Sequence, residues 1–270
     1  MNAELRSYVD AFRNPHLRRL VLAFLDDPTL GPAFIEAPAA KRLHHAWIGG
    51  LLEHVLCLVR ICLATAPFYP EVDPDLLVTG AILHDIGKVR ELSWGSTFDY
   101  TLEGQLIGHI SIAQGLLHEK IAQLNAEAAL AQEVFSQLKS ETSKDLSSRP
   151  ESALFADVVE RPAALPPLLD PSSTEPFPQN LRLLIEHMIL SHHGKLEFGS
   201  PKLPMTPEAM LLSALDDLEA KFQTLRNEFA NAQSTNRPAS EPTEWVRSMD
   251  RPLFNSQAWL QSTQTKPTKD

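Results

Sequence analysis

An apolar segment that ends in a histidine and an aspartate is the feature that most restricts the fold of this chain. Asp73-Pro74-Asp75 is typical of a helix start, with a side-chain cap and a proline in the first turn, and the apolar run 76–83 follows. This pattern predicts a helix over residues 75–88 that carries His84 and Asp85 one turn before its end. An adjacent imidazole and carboxylate can bind a divalent cation, although such dipeptides also occur by chance.

Further histidines and a late aspartate pair make the cation interpretation stronger. They lie at His54, His109, His192-His193 and Asp216-Asp217. Imidazole nitrogen and carboxylate oxygen suit Mn²⁺, Fe²⁺, Zn²⁺, Ni²⁺ or Mg²⁺ with positions open to water. The residues are distant in sequence and fall on different predicted helices, as a site in the core of a helical bundle requires.

The rest of the chain also has helical rather than strand periodicity. Helices are predicted within residues 3–35, 46–65, from about 101–106 through His109, and 206–230, with a loop near 94–100. No convincing alternating pattern occurs, so the expected fold is all-α. We expect one domain over residues 1–230 with a Pro-rich insertion at about 140–179. Residues 231–270 would form a linker and tail that docks on the bundle or contacts another subunit.

Composition restricts partners and compartment. A formal charge of −10 and a pI near 5.5 count against sequence-independent binding of long duplex nucleic acid. The negative charge favours short substrates. Small nucleotides and single-stranded RNA ends remain compatible. No apolar run is expected to span a bilayer, the N-terminus lacks a secretory pattern, and Cys57 and Cys62 are interpreted as buried thiols. These features predict a cytoplasmic protein without a membrane partner.

The order His, His-Asp, His, His, Asp resembles the HD superfamily of metal-dependent phosphohydrolases. Several segments are similar to one branch, the bacterial HD-domain 3′-to-5′ exoribonuclease family (YhaM-type). They are residues 37–41, His44-His45, 49–54, 84–88, 103–110 and 191–201. The resemblance covers roughly residues 15–118 and 180–225. Full-length members of that family carry an N-terminal OB-type barrel, and this chain, which begins with predicted helices, is expected to lack it.

The resemblance implies a metal centre for one or two divalent ions, with Mn²⁺ favoured. It assigns His54, His84, Asp85 and Asp216 to one ion. His109 and His192 would hold a second, with Asp85 shared between the two. Two choices stay open from the residues alone. Consecutive helical residues point about 100° apart, so His192 and His193 normally would not face the same ion, and the same question concerns Asp216 and Asp217.

Other residues are candidates for catalysis or substrate binding. Asp85, Lys88 and His193 are the expected catalytic groups, and Lys88 and His193 are also expected to contact a substrate phosphate. Lys88 is equally well explained as a cation at a helix C-terminus. The substrate-side loop that the resemblance implies contains Lys41, His44 and His45, which could instead form a solvated basic turn.

The function that the resemblance implies is hydrolysis of a phosphodiester at the 3′ end of RNA or an oligonucleotide, with release of nucleoside 5′-monophosphates. The nearest alternative is an HD phosphohydrolase acting on a small nucleotide or cyclic dinucleotide. A dinuclear-iron oxygenase and a non-catalytic HD signalling module are further alternatives.

Overall fold

The computed structural model of the protein describes residues 1–41, 47–95, 97–148 and 174–264. Helices dominate these ranges, which confirms the all-α prediction. The helices are α1 (Asn2–Asp10), α2 (Pro15–Leu25), α3 (Leu30–Glu36), α4 (Gly50–Thr65), α5 (Pro74–Leu83), α6 (Lys88–Glu91), α7 (Leu102–Leu106), α8 (His109–Ser148), α9 (Gln179–Ser191), α10 (Pro207–Ser234) and α11 (Ser256–Gln264). Short 3₁₀ turns occupy Ala66–Phe68, Leu196–Phe198 and Arg247–Met249.

Helix α5 is the centre of the bundle. Every residue from Leu76 to Leu83 is buried, and the helix packs against α2, α4, α9 and α10. A helix that is apolar on all sides must be enclosed in this way. Its start is as predicted, because the Asp73 side chain accepts hydrogen bonds from the backbone N–H groups of Asp75 and Leu76 at 2.9 and 3.0 Å.

The end of α5 differs from the prediction. The helix stops at Leu83 rather than continuing to residue 88, so His84 and Asp85 lie in the turn that follows. From here the backbone hydrogen bonds span three residues, as in Ile86 N–H to Leu83 O at 3.2 Å and Lys88 N–H to Asp85 O at 3.0 Å. This tighter turn replaces the regular 100° rotation of an α-helix and lets neighbouring side chains face one pocket.

Helix α4 carries His54 through the core. Gly50–Phe68 is long and apolar enough, by length and composition alone, to cross a membrane, so the expectation that no run reaches this length is wrong by that criterion. Half of this apolar stretch is buried inside the fold, and α4 packs against α3, α5 and α10. These contacts identify it as a core helix of the bundle.

Three other boundaries also differ. The predicted loop near 94–100 contains an antiparallel hairpin of β1 (Leu92–Trp94) and β2 (Phe98–Tyr100). The single helix expected from 101–106 through His109 is two helices, because Gly108 adopts φ +78° between α7 and α8. Helix α8 continues to Ser148, past the expected start of the insertion at 140; residues 149–173 lie outside the described ranges.

Gly87 packs closely against the backbone of α8 near the pocket. A methyl group on Gly87 would lie 2.0 Å from the carbonyl oxygen of His109 and 2.8 Å from the backbone nitrogen of Ala113. We therefore expect Gly87→Ala to lower the free energy of unfolding by about 3 kcal/mol, because backbone atoms must move. Gly115→Ala is the matched control, since nothing lies within 4 Å of its added methyl group. At this exposed position of α8 the substitution should stabilise the fold by about 0.5–1 kcal/mol. Denaturant unfolding would measure both, and equal effects would contradict this packing.

An ion pair joins the beginning of α3 to α8. Lys120 Nζ donates to Asp27 Oδ2 at 2.5 Å, while Asp27 Oδ1 accepts from the N–H groups of Thr29 and Leu30. The hydrogen bond from Lys120, despite opposition from burial, holds the pKa of Asp27 below its ordinary value.

A lowered folded-state pKa means that Asp27 stabilises the fold above its unfolded pKa of about 3.9 and loses this contribution as the pH falls. We expect Asp27→Asn to cost about 1.5–3 kcal/mol at pH 7 and progressively less below pH ~4. Denaturant unfolding of both proteins between pH 7 and pH 3 would test this, and a difference independent of pH would contradict it.

Candidate metal centre

Five helical segments bring the predicted metal ligands into one pocket. His54 comes from α4, His84 and Asp85 from the turn after α5, His109 from the first residue of α8, His192 from the end of α9 and Asp216 from α10. His54, His84, Asp85 and His192 are buried, each with 3% or less of its surface exposed. The packing of α4, α5 and α10 on one another fixes half of the group, and α8 against α9 fixes the rest.

The Asp85 carboxylate lies between two pairs of imidazoles. Its Oδ2 is 3.3 Å from His84 Nε2 and 3.8 Å from His54 Nε2. Its Oδ1 is 3.6 Å from His109 Nε2 and 3.7 Å from His192 Nε2. One oxygen therefore faces each pair, which is the arrangement expected of a carboxylate shared by two cations.

Asp216 completes the first of these pairs. Its Oδ1 lies 3.3 Å from His54 Nε2 and 3.7 Å from His84 Nε2. Donor atoms of His54, His84 and Asp216 lie within 4.8 Å of one another. Asp217, in contrast, is more than half exposed and pairs with Lys221 one turn along α10. The geometry thus favours Asp216 over Asp217 as a ligand.

The second pair is extended by His193. Donor atoms of His109, His192 and His193 also lie within 4.8 Å of one another, and the rings of His192 and His193 are 4.4 Å apart between centroids. Helix α9 ends at Ser191, so His192 and His193 are not constrained to the 100° spacing that separates helical neighbours. The structure brings both side chains to the pocket.

The Nδ1 atom of each imidazole has a hydrogen-bond acceptor outside the cluster. The acceptors are Glu219 for His54 at 2.8 Å, Ala81 O for His84 at 3.0 Å, Glu91 for His109 at 3.0 Å, Ile189 O for His192 at 2.8 Å and Phe198 O for His193 at 2.8 Å. A carbonyl oxygen can only accept, so Nδ1 carries the proton in His84, His192 and His193. A neutral ring in this tautomer presents the lone pair of Nε2 to the pocket, as a metal ligand must.

Glu219 and Glu91 are functional residues that sequence reasoning missed. Both carboxylates are largely buried, and each holds one imidazole of the cluster. Glu91 also accepts the backbone N–H of His109 at 3.0 Å, and so it fixes the start of α8. Glu219 follows Asp216 by three residues, a helical spacing that places both on one face. That spacing was the available signal; for Glu91 the sequence offers none.

Three buried atoms of the pocket favour a cation. Among the described residues, Asp85 Oδ1, His109 Nε2 and His192 Nε2 have no hydrogen-bond partner. Burying polar atoms without partners is costly, and three electron-pair donors that face one another cannot satisfy each other. A divalent cation would satisfy all three at once. The mixed nitrogen and oxygen donors fit Mn²⁺, Fe²⁺, Ni²⁺ or Zn²⁺ and leave the choice of ion open.

The electrostatics of the pocket agree with this fit. Burial opposes the protonation of His54, yet hydrogen bonds with Asp216 and Glu219 raise its pKa to about 10. Burial likewise opposes the ionisation of Asp85, but Lys88 and His84 hold its pKa well below the ordinary value. The buried carboxylates thus stabilise positive charge strongly, which is the property that a cation site needs.

Of the residues proposed to contact the substrate, Lys88 lies beside Asp85, whereas Lys41 lies at the β-hairpin. Lys88 Nζ donates to Asp85 Oδ2 at 2.6 Å, and the residue begins the four-residue helix α6. Lys41 pairs with Asp99 at 2.6 Å and lies 5.6 Å from the ring centre of Tyr100, so this residue contacts the β-hairpin. His44 and His45 lie outside the described residues.

Comparisons with known proteins agree with this geometry. The family model described as "HD domain" matches residues 51–161. The chain is 33% identical over 251 residues to "3'-5' exoribonuclease YhaM" of Shouchella clausii, which covers 93% of this chain and 60% of the relative. It is 30% identical over 254 residues to the protein of that name in Halalkalibacterium halodurans, covering 94% and 61%. No solved structure matches significantly.

The chain thus spans about 60% of the length of these curated relatives. Its His84-Asp85 pair lies within the matched domain, at the centre of the pocket that the helices form. The resemblance inferred from the ordered motifs is confirmed. Residues 51–161 thus match an HD domain, and the similarity to the two exoribonucleases covers nearly the whole chain.

Proposed function

We propose that the chain is a divalent-metal-dependent phosphodiesterase that removes nucleotides from the 3′ end of single-stranded RNA and releases nucleoside 5′-monophosphates. The observation that carries the proposal is the position of Asp85 between two imidazole pairs. A shared carboxylate between two donor groups suits two-metal phosphodiester hydrolysis. The relatives are named as 3′-5′ exoribonucleases, which supports RNA as the substrate.

We assign the pocket residues as follows. His54, His84 and Asp216 would hold one ion, His109 and His192 the other, and Asp85 would contact both. When bound, the ions would supply Lewis acidity toward a phosphoryl oxygen and lower the pKa of a water molecule. Mn²⁺ is our preferred ion, with Fe²⁺, Ni²⁺, Zn²⁺ and Mg²⁺ as the alternatives that the donor set also admits.

The protein's own groups would position and neutralise the substrate. Asp85, besides contacting the ions, is the proposed proton acceptor. Lys88 lines the cavity beside Asp85 and would donate to a phosphoryl oxygen. His193 Nδ1–H donates to Phe198 O, so its Nε2 is the atom left to bind an ion through its lone pair or, once protonated, to donate to a phosphate oxygen.

Residues 41–45 contain the remaining proposed substrate contacts. Lys41 is committed to Asp99, and it would have to exchange this partner for a substrate phosphate. We retain Lys41, His44 and His45 as proposed substrate contacts. We also propose the domain limits 1–230 and 231–270, although α10 itself ends at Ser234. The cytoplasmic location and an oligomer formed through the C-terminal segment stay predictions.

The proposal is tested with purified, Mn²⁺-loaded protein and 5′-labelled single-stranded RNA. We expect a ladder that shortens from the 3′ end, with nucleoside 5′-monophosphates as the released product. RNA left intact, with Asp85→Asn behaving identically to the wild type, would contradict the proposal.

A second candidate is hydrolysis of a small nucleotide or cyclic dinucleotide. The cavity has a volume of about 260 Å³, which is small for a ligand site, and the formal charge of −10 favours short substrates. Supplying oligonucleotides and a nucleotide pool together would separate the two. Preferential loss of the mononucleotides or cyclic dinucleotides would favour this second candidate.

A further inference from the structure

An exposed aromatic ring stands at the opening of the metal pocket. Phe198 lines the cavity together with His54, Asp85, Lys88 and His192, yet 57% of its surface is exposed. Every other side chain lining this cavity, apart from Ala220, is polar or charged. A phenyl ring in this position is not explained by core packing.

The backbone around Phe198 is fixed by hydrogen bonds. The Phe198 carbonyl oxygen accepts from His193 Nδ1 at 2.8 Å, and its N–H donates to Lys195 O at 3.1 Å. Gly199 follows with φ +84°, and the buried Ser200 hydroxyl lies within hydrogen-bond distance of the carbonyl oxygens of Leu190, at 3.1 Å, and Lys202, at 2.8 Å. The ring is therefore held at the pocket by a turn tied to the end of α9.

A second anchor lies at the start of this turn. Gly194 adopts φ +74°, and a methyl group there would lie 2.4 Å from Ser213 Oγ on α10. The turn is thus packed closely between α9 and α10, the two helices that supply His192 and Asp216. Because the ring and the metal ligands share these supports, the distance between them is set by the fold.

The ring also has a cation beside it. Lys195 Nζ lies 4.9 Å from the centre of the Phe198 ring, within the range of a cation–π contact. The same ammonium is 3.3 Å from Glu197, and Lys195 is largely exposed. An aromatic face beside an exposed cation, next to a site for a phosphate, matches the two parts of a nucleotide, its base and its phosphate.

We propose that Phe198 is a stacking platform for the base of the substrate's 3′-terminal nucleotide, with Lys195 beside it. This inference rests on the proposed function, because it places the scissile phosphodiester at the metal ligands. Stacking on a phenyl ring tolerates any base, since every base has a π-face. The platform would therefore contribute affinity for a nucleotide end and little sequence preference.

The test measures binding and does not require cleavage. Mn²⁺-loaded protein is titrated into an oligonucleotide whose 3′-terminal 2-aminopurine is joined through a non-hydrolysable methylenephosphonate linkage. Stacking quenches 2-aminopurine fluorescence, so we expect quenching with the wild type. Phe198→Leu should lose the quenching and raise the Kd about tenfold. Phe198→Trp should retain the quenching and the affinity of the wild type.

Phe68→Leu is the matched control, because Phe68 is 78% exposed and does not line this cavity. It should behave as the wild type. An oligonucleotide with an abasic 3′ end should bind wild type and Phe198→Leu equally. Unquenched binding by the wild type, no binding at all, or an unchanged Phe198→Leu would overturn the platform. Quenched binding without hydrolysis of ordinary RNA would leave the platform standing and contradict only the proposed function.

Discussion

Asp85→Asn is expected to abolish stoichiometric binding of divalent cations and to lower RNA hydrolysis on the order of 10³-fold. The substitution keeps the shape of the side chain but removes the charge that faces His84 on one side and His109 on the other. A rate about 10³-fold lower corresponds to the loss of several kcal/mol of transition-state stabilisation, since each 1.36 kcal/mol changes the rate about tenfold. Metal content after gel filtration and initial rates on labelled RNA would measure the two effects.

The control for this variant is Asp217→Asn. Asp217 follows Asp216 on the same helix, and it is exposed and paired with Lys221. We expect its metal content and rate to stay within about twofold of the wild type, because exposed ion pairs contribute little. Circular dichroism of both variants would establish that they are folded. A folded Asp85→Asn protein with normal metal content would contradict the assignment of Asp85.

Glu219→Gln is expected to weaken cation affinity by about 10–100-fold. Glu219 Oε2 lies 2.8 Å from His54 Nδ1, and its charge increases the basicity of the ring. The amide retains the volume and an acceptor oxygen, so the effect reports the lost charge rather than a cavity. Isothermal titration of the metal-stripped protein with Mn²⁺ would measure the affinity.

The comparison for Glu219→Gln is Glu186→Gln. Glu186 also accepts hydrogen bonds from a histidine, His118, and from Gln114, but it joins α9 to α8 and does not line the metal cavity. Its substitution should leave Mn²⁺ affinity unchanged. If Glu219→Gln bound Mn²⁺ as tightly as Glu186→Gln, the support that Glu219 gives to His54 would have no role in binding.

Local sequence signals predicted the helices that carry the ligands. Asp73 and Thr206 accept hydrogen bonds from the N–H groups at the starts of α5 and α10, as their positions before a proline indicated. The order of the histidines and aspartates predicted the family, and the structure brings those residues together in one pocket. These features depend on residues close in sequence or on an ordered pattern, and both can be read from the chain.

Features that depend on contacts between distant segments were not predicted. The early end of α5 depends on the turn that places Asp85 against His109 and His192. The break before α8 depends on Gly108, whose isolated position gave no clear stop signal. The role of Glu91 depends on α6 and α8 meeting in the folded chain. The periodicity of apolar residues does not show which distant segments of the chain contact one another.

Anomalous diffraction from crystals of the gently purified protein tests the central claim most directly, because it identifies and counts ions at named residues. The account predicts one or two divalent ions between Asp85 and its neighbours, with His54, His84 and Asp216 on one side and His109 and His192 on the other. An ion bound only at another site would contradict the account, and so would a well-resolved pocket with no ion among these residues.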